Sequence, residues 1–250
     1  VDQVRKRVLL GVGALVAVVA IVLGIVVLTH DDGDDSASTT TTTSSTTTST
    51  SSSTTSTTGP TTTTTLSAHD LDDAVFPDLT GAARYADPAA LVRDFALQVL
   101  GFDDDVVIGS FQPTGPGTGQ IELRPNASGA VSTVVLRQLE DGSWIAVSVR
   151  TDSIRLDAPV NGGRITSPQA LTGAAYAFEG RVNVTLFADG SETQIASTFV
   201  TGRGDGVLGP FDGQLAFQVP PGATRGTLVL SAANGANGAT AAAAVVRVRF

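Results

Sequence analysis

The side chains able to do chemistry are few: two histidines (His30 and His69), four glutamates (Glu122, Glu140, Glu179 and Glu192) and no cysteine. Composition therefore excludes disulfides, thiolate nucleophiles and Cys/His zinc sites. A Ser-His-Asp triad needs an imidazole beside its nucleophile, and both histidines fall outside the predicted helix and strands, His30 at the membrane exit and His69 at the end of the stalk. Carboxylate-pair hydrolysis needs two carboxyl groups facing each other across a cleft. Glu122 and Glu192 read as solvent-facing, and Glu140 as a turn residue. No catalytic, cofactor-binding or metal-ligating residue is assigned, and the chain is expected not to be an enzyme. A carboxylate-dependent cell-wall hydrolase using Glu122 or Asp103 stands as an alternative.

Three further motifs could carry binding. Asp103-Asp104-Asp105 offers oxygen ligands, but adjacent aspartates lack the alternating spacing of a dedicated calcium loop and read as a solvated acidic loop. Gly202-Arg203-Gly204-Asp205-Gly206 contains an Arg-Gly-Asp tripeptide but has neither the spacing nor the following helix of a phosphate loop, and reads as a flexible inter-strand loop. Asn126-Ala127-Ser128 and Asn183-Val184-Thr185 fit the glycosylation tripeptide, which is common by chance. Of the large aromatics Trp144, Tyr85, Tyr176 and Phe178, both Trp144 and Phe178 are expected to pack rather than bind.

The elements that would position these residues begin with a run from Val8 to Leu28 that contains no charge and no proline. At 1.5 Å per residue it covers roughly 30 Å, the apolar thickness of a bilayer. Arg5, Lys6 and Arg7 precede it and Asp31, Asp32, Asp34 and Asp35 follow, so residues 1–7 are expected as a cytoplasmic tail and 8–28 as a single-pass transmembrane signal anchor. The run exceeds a signal-peptide core, and Leu28-Thr29-His30-Asp31 offers no small-residue cleavage site. From Ser36 to Thr65 every residue except Ala37, Gly59 and Pro60 is Ser or Thr. Such a tract cannot offset an ordering cost of about 1–2 kcal/mol per residue, and residues 29–65 read as a disordered stalk. The localisation implied is the plasma membrane, crossed once, with the bulk of the chain outside.

Residues 66–155 read as a small α+β domain. Leu66–Ala86 has no clean period and reads as a lead-in. Asp87 can cap a helix, Pro88 suits its first position, and Leu91, Val92, Phe95, Ala96, Val99 and Leu100 recur at three and four before Gly101 ends it. Strands are predicted at 106–111, 120–124, 131–139 and 143–150, with a hairpin at Glu140-Asp141-Gly142-Ser143. One helix followed by a meander loosely resembles the cone-shaped nuclear-transport-factor-2-like domains.

Residues 156–250 lose the helical period and alternate. Strands are predicted at 170–176, around Val182, Val184 and Leu186, at 193–200, at 214–219 (Leu215, Phe217, Val219), at 226–232 and at 244–250, where Val246, Val248 and Phe250 oppose Arg247 and Arg249. About seven short strands fit an all-β sandwich. Within it, Asp157-Ala-Pro-Val-Asn-Gly-Gly-Arg-Ile-Thr-Ser-Pro168, Leu171-Thr-Gly173, Ala177-Phe-Glu-Gly180 and Val182-Asn-Val-Thr-Leu186 stand in the order that resembles the bacterial spore germination immunoglobulin-like domain. Gly209-Pro-Phe211, Phe217-x-Val219 and Val246-Arg-Val-Arg-Phe250 extend the likeness. The resemblance implies an extracytoplasmic immunoglobulin-like module with no catalytic residues to carry over. The lipoprotein domain that accompanies this module in spore formers has no counterpart in the residues read here, which argues against carrying over the role in germination that the family name implies.

The net charge is −9 with a single lysine, which argues against a nucleic-acid partner. Residues 66–250 carry 12 arginines against 19 carboxylates, a balance that favours protein partners over polyanions. The function expected is non-catalytic contact with an extracytoplasmic protein or the cell wall, with no small-molecule substrate evident. A sensory ectodomain working through a membrane partner is the other alternative.

Overall fold

The computed structural model describes residues 67–250, Glu192 apart. The expected cytoplasmic tail, membrane anchor and stalk, with His30, lie outside the described residues. Among the described residues no helix is long and apolar enough to cross a membrane.

Helix α1 (Ala68–Asp73) starts at a reciprocal cap, in which Ser67 accepts from the Asp70 N–H while Asp70 accepts from the Ser67 N–H. It lies inside the predicted lead-in. Six residues cannot display a helical period, so only the cap could have announced it. Helix α2 (Pro88–Phe95) has the predicted Asp87 cap and Pro88 first turn, and it runs into a π-helical turn, Ala96–Leu100, closed by left-handed Gly101.

Thirteen strands follow: β1 (Val107–Ile108), β2 (Gln112–Gly115), β3 (Thr118–Arg124), β4 (Ser132–Gln138), β5 (Trp144–Thr151), β6 (Ile154–Ala158), β7 (Gly163–Arg164), β8 (Gln169–Ala175), β9 (Arg181–Ala188), β10 (Gln194–Thr201), β11 (Gly209–Leu215), β12 (Arg225–Ala233) and β13 (Thr240–Arg249). The main ladder runs β1-β3-β4-β5-β13-β12-β9-β10, and β6, β8 and β11 form the facing layer. The predicted strand at 214–219 is displaced: β11 ends at Leu215, and Phe217 instead gives its N–H to the Ser167 hydroxyl at 2.9 Å. β2 was hidden in a Gly/Pro-rich stretch that reads as a turn.

Two large cores result. The first joins Leu91, Val92, Phe95 and Leu100 of the helix to Ile121, Leu123, Val134, Leu136 and Val149 of the meander. The second fills the sandwich with Leu171, Val182, Val184, Leu186, Phe211, Leu215, Leu228, Leu230 and Val248. Strands β12 and β13 serve both, since Val229, Ala243 and Val245 on their outward face are buried in the first core. Burial on both faces explains the unbroken apolar run of β13, because alternation is the mark of a sheet with one wet face. Arg247, which alternation predicts to be outward and solvated, is accordingly only 3% exposed.

Candidate functional site

The residues first considered for catalysis are dispersed. His69 is an exposed helix residue 3.2 Å from Asp73. Glu122 pairs with Arg124 at 3.2 Å and lines, with Gln120, Arg150 and Asp152, a cleft of about 390 Å³ on the sheet face. Glu140 is exposed in its hairpin, and Glu192 is not among the described residues. Asp103 accepts from the Asn237 side chain at 2.8 Å, tying the loop after β12 to the end of the helix. Among the described residues no group of three or more His, Cys, Asp or Glu is placed to hold a metal ion. Asn126 accepts from the Ser128 N–H and hydroxyl, and Asn183 from the Arg181 guanidinium.

Trp144 packs as expected, edge-on to Phe111 with ring centres 5.0 Å apart and against the first core. Tyr85 donates its hydroxyl to Asp94 at 2.8 Å, and burial, reinforced by that carboxylate, pushes its phenol up to about 12. Phe178 does not pack as expected: it is 59% exposed.

The reason lies in the Phe-Glu-Gly turn. Glu179 is a non-glycine residue with positive φ (54°), and Gly180 follows at 71°. Two left-handed residues in succession reverse the chain over three residues and turn Phe178 outward instead of into the sandwich. The turn is laced to the Arg-Gly-Asp loop by backbone bonds, Gly202 N–H to Gly180 carbonyl (2.8 Å), Ala177 N–H to Arg203 carbonyl (2.9 Å) and Arg203 N–H to Ala175 carbonyl (3.0 Å). That loop is therefore held, not free. Its Arg203 and Asp205 form an ion pair with each other, which raises the arginine and lowers the aspartate from their ordinary values and occupies the carboxylate that a ligand would need.

Phe178 lies across Gly235 so closely that a Cβ there would meet its ring at 2.7 Å. Beside it opens a cleft of about 330 Å³, lined by Tyr176, Ala177 and Phe178, by Gly204 and Gly206, and by the small residues of β12 and β13. Its wall is largely alanine and glycine. Such a surface offers shape and apolar area, and few groups that could act on a substrate.

Ten of the thirteen residues lining this cleft belong to one stretch of chain. Residues 153–239 match the family model of the immunoglobulin-like domain of bacterial spore germination. No curated protein and no solved structure matches the chain. The germination-type domain thus takes in the Phe-Glu-Gly turn, the Arg-Gly-Asp loop and Gly235, while β13, central to its sheet, lies beyond the matched residues. The Phe-Glu-Gly core of this domain is legible in the sequence, but its phenylalanine, large and apolar, reads as buried. The only signal to the contrary was the glycine following a glutamate in a segment without helical or strand period.

Proposed function

We propose that the chain is a single-pass protein of the bacterial plasma membrane, with residues 1–7 cytoplasmic and residues 66–250 held outside on the 29–65 stalk. There the immunoglobulin-like sandwich makes non-catalytic contact with an extracytoplasmic protein. The two cores support reading 66–155 as the α+β part and 156–250 as the sandwich. The observation that carries the contact reading is Phe178, a large apolar ring left in water at the mouth of an alanine-lined cleft. Full burial of such a ring is worth about 1.5–3 kcal/mol, and a partner that covers the 59% of Phe178 left exposed recovers about 1–2 kcal/mol of it.

The test is in-cell cross-linking with a photoreactive side chain at position 178 of the full chain, compared with the same group at position 160, where Val160 is equally solvent-accessible. One discrete adduct with a surface protein from 178, absent from 160, is the expected result. Adducts of the same pattern from both positions, or none from 178, would overturn the contact reading.

A further inference from the structure

At the other end of the same sheet, the pairing register creates an arrangement that neither composition nor alternation reveals. Arg225 of β12 is the direct cross-strand partner of Arg249 of β13, and Arg249 is the partner of Arg164 in the parallel pair with β7. Three arginines therefore stand in one row across three strands, about 5 Å from neighbour to neighbour. Like charges placed directly opposite each other destabilise a sheet, so the row works against folding. A quarter of the arginines of residues 66–250 gather there, in a region where carboxylates outnumber arginines.

Compensation at the row is incomplete. Arg225 pairs with Asp72, the only carboxylate side chain among the residues lining the cleft of about 510 Å³ that the row borders. Asp189 is taken by Arg247 on the same strand. Asp78 accepts from the Gly190 and Thr80 N–H groups. Arg249 donates its Nε to the Gly162 carbonyl at 2.9 Å, a neutral partner, and Arg164 is exposed with no ion pair among the described residues. Asp72 also lies within coulombic reach of Arg249, so the three guanidinium groups of the row answer to one carboxylate side chain in the cleft, with Thr224 and Phe250 completing the wall.

We infer that this row is a binding site for a phosphate-bearing polyanion. Guanidinium forks match phosphate oxygens in pairs, and three cations set against one carboxylate side chain call for two further negative charges delivered together. A polymer with repeated phosphate groups supplies them along the row; an isolated monoanion answers only one. The site lies about 27 Å from the Phe178 cleft, counted along the eight residue steps of β12 from Arg225 to Ala233. It is independent of the protein contact proposed above, and either can fail alone.

The experiment is titration of the full chain, purified in a neutral detergent, with inorganic polyphosphate, with inorganic phosphate and with polyglutamate, each at low and at moderate salt. Polyphosphate is expected to bind most tightly and to weaken as salt rises. Arg164→Ala and Arg249→Ala should each weaken it about tenfold, the loss expected for one charge-assisted contact. Arg155→Ala, which removes an exposed arginine paired with Asp157 elsewhere on the sandwich, should leave it unchanged. Thermal unfolding of the row variants at or above the parent temperature shows that the loss is not misfolding, since removing one of three like charges relieves repulsion. Absence of polyphosphate binding, equal binding of polyglutamate, or equal weakening by Arg155→Ala would overturn the proposal.

Discussion

Replacing Arg247 with methionine should destabilise the described region more than any single change at the surface. The guanidinium uses all five of its N–H bonds: Nη1 donates to Asp189 at 2.6 Å and to the Thr227 hydroxyl at 3.4 Å, Nη2 to Asp189 and to the Leu71 carbonyl at 2.8 Å, and Nε to the Asp72 carbonyl at 3.3 Å. Those two carbonyls belong to the last turn of α1, where an arginine also complements the negative end of the helix. Removing one partner of a buried pair costs about 3–5 kcal/mol, because the other charge is left without compensation. The Asp189 side chain is 23% exposed and keeps some water, which puts the expected loss near the lower end, about 3 kcal/mol. For a folded region of this size that corresponds to about 6–12 °C in Tm.

Urea unfolding of the parent, Arg247→Met, Asp189→Leu and the double variant measures the effect as a cycle. The double variant should be less destabilised than the sum of the two single changes, since it removes the stranded carboxylate and leaves only the α1 carbonyls unanswered. An Arg247→Met variant within about 0.5 kcal/mol of the parent, or a strictly additive cycle, would refute the reasoning.

Acid should erode stability in a defined window. The Arg225 hydrogen bond lowers Asp72 and the Ser143 hydrogen bonds lower Asp141; for Asp70 and Asp78 burial pushes upward, but hydrogen bonds from Ser67 and Arg137, and from Thr80 and Gly190, bring both below the usual value. A depressed carboxylate contributes stability above its unfolded pKa, near 3.8, that is lost as pH falls through the lower folded value, so urea midpoints should hold at pH 5 and drop below about pH 4. Alkali acts with the opposite sign on Tyr85: its raised pKa contributes stability that is complete below pH 10 and declines as pH rises towards 12, and Tyr85→Phe should delete a late phenolate step near pH 12 from the absorbance titration. Gly173→Ala should lower stability by about 1–3 kcal/mol, because the added methyl would sit 2.1 Å from the Arg155 carbonyl and 2.5 Å from the Phe211 ring. An unchanged thermal midpoint for that variant would show that β6 and β11 do not close in on β8 so tightly at Gly173.

Much of this architecture is legible in the sequence where one physical rule dominates. Asp87-Pro88 and Gly101 bound the helix because capping and left-handed closure are local. Alternation placed Val182, Val184 and Leu186 inward because β9 has one core face. The rule misleads where long-range packing overrides it. Arg247 and Arg249 read alike, yet α1 and the hairpin after β9 bury the first and leave the second in water, a difference set by residues more than fifty positions away. Phe178 reads as core because it is large and apolar, whereas two left-handed residues turn it out. The arginine row depends on register alone, and net charge conceals it: a region with an acidic balance still holds three adjacent cations against one carboxylate side chain. The lead-in Leu66–Ala86 hid the six-residue α1 because a single cap, Ser67 with Asp70, is its only local mark.

Residues 66–250 must stand outside the cell for the proposed contact, and protease treatment of intact cells carrying a tag after Phe250 tests this most directly. Cleavage within 29–65 on intact cells, releasing the tagged fragment into the medium, is the predicted result. A tagged chain that stays protected until the membrane is permeabilised would contradict it.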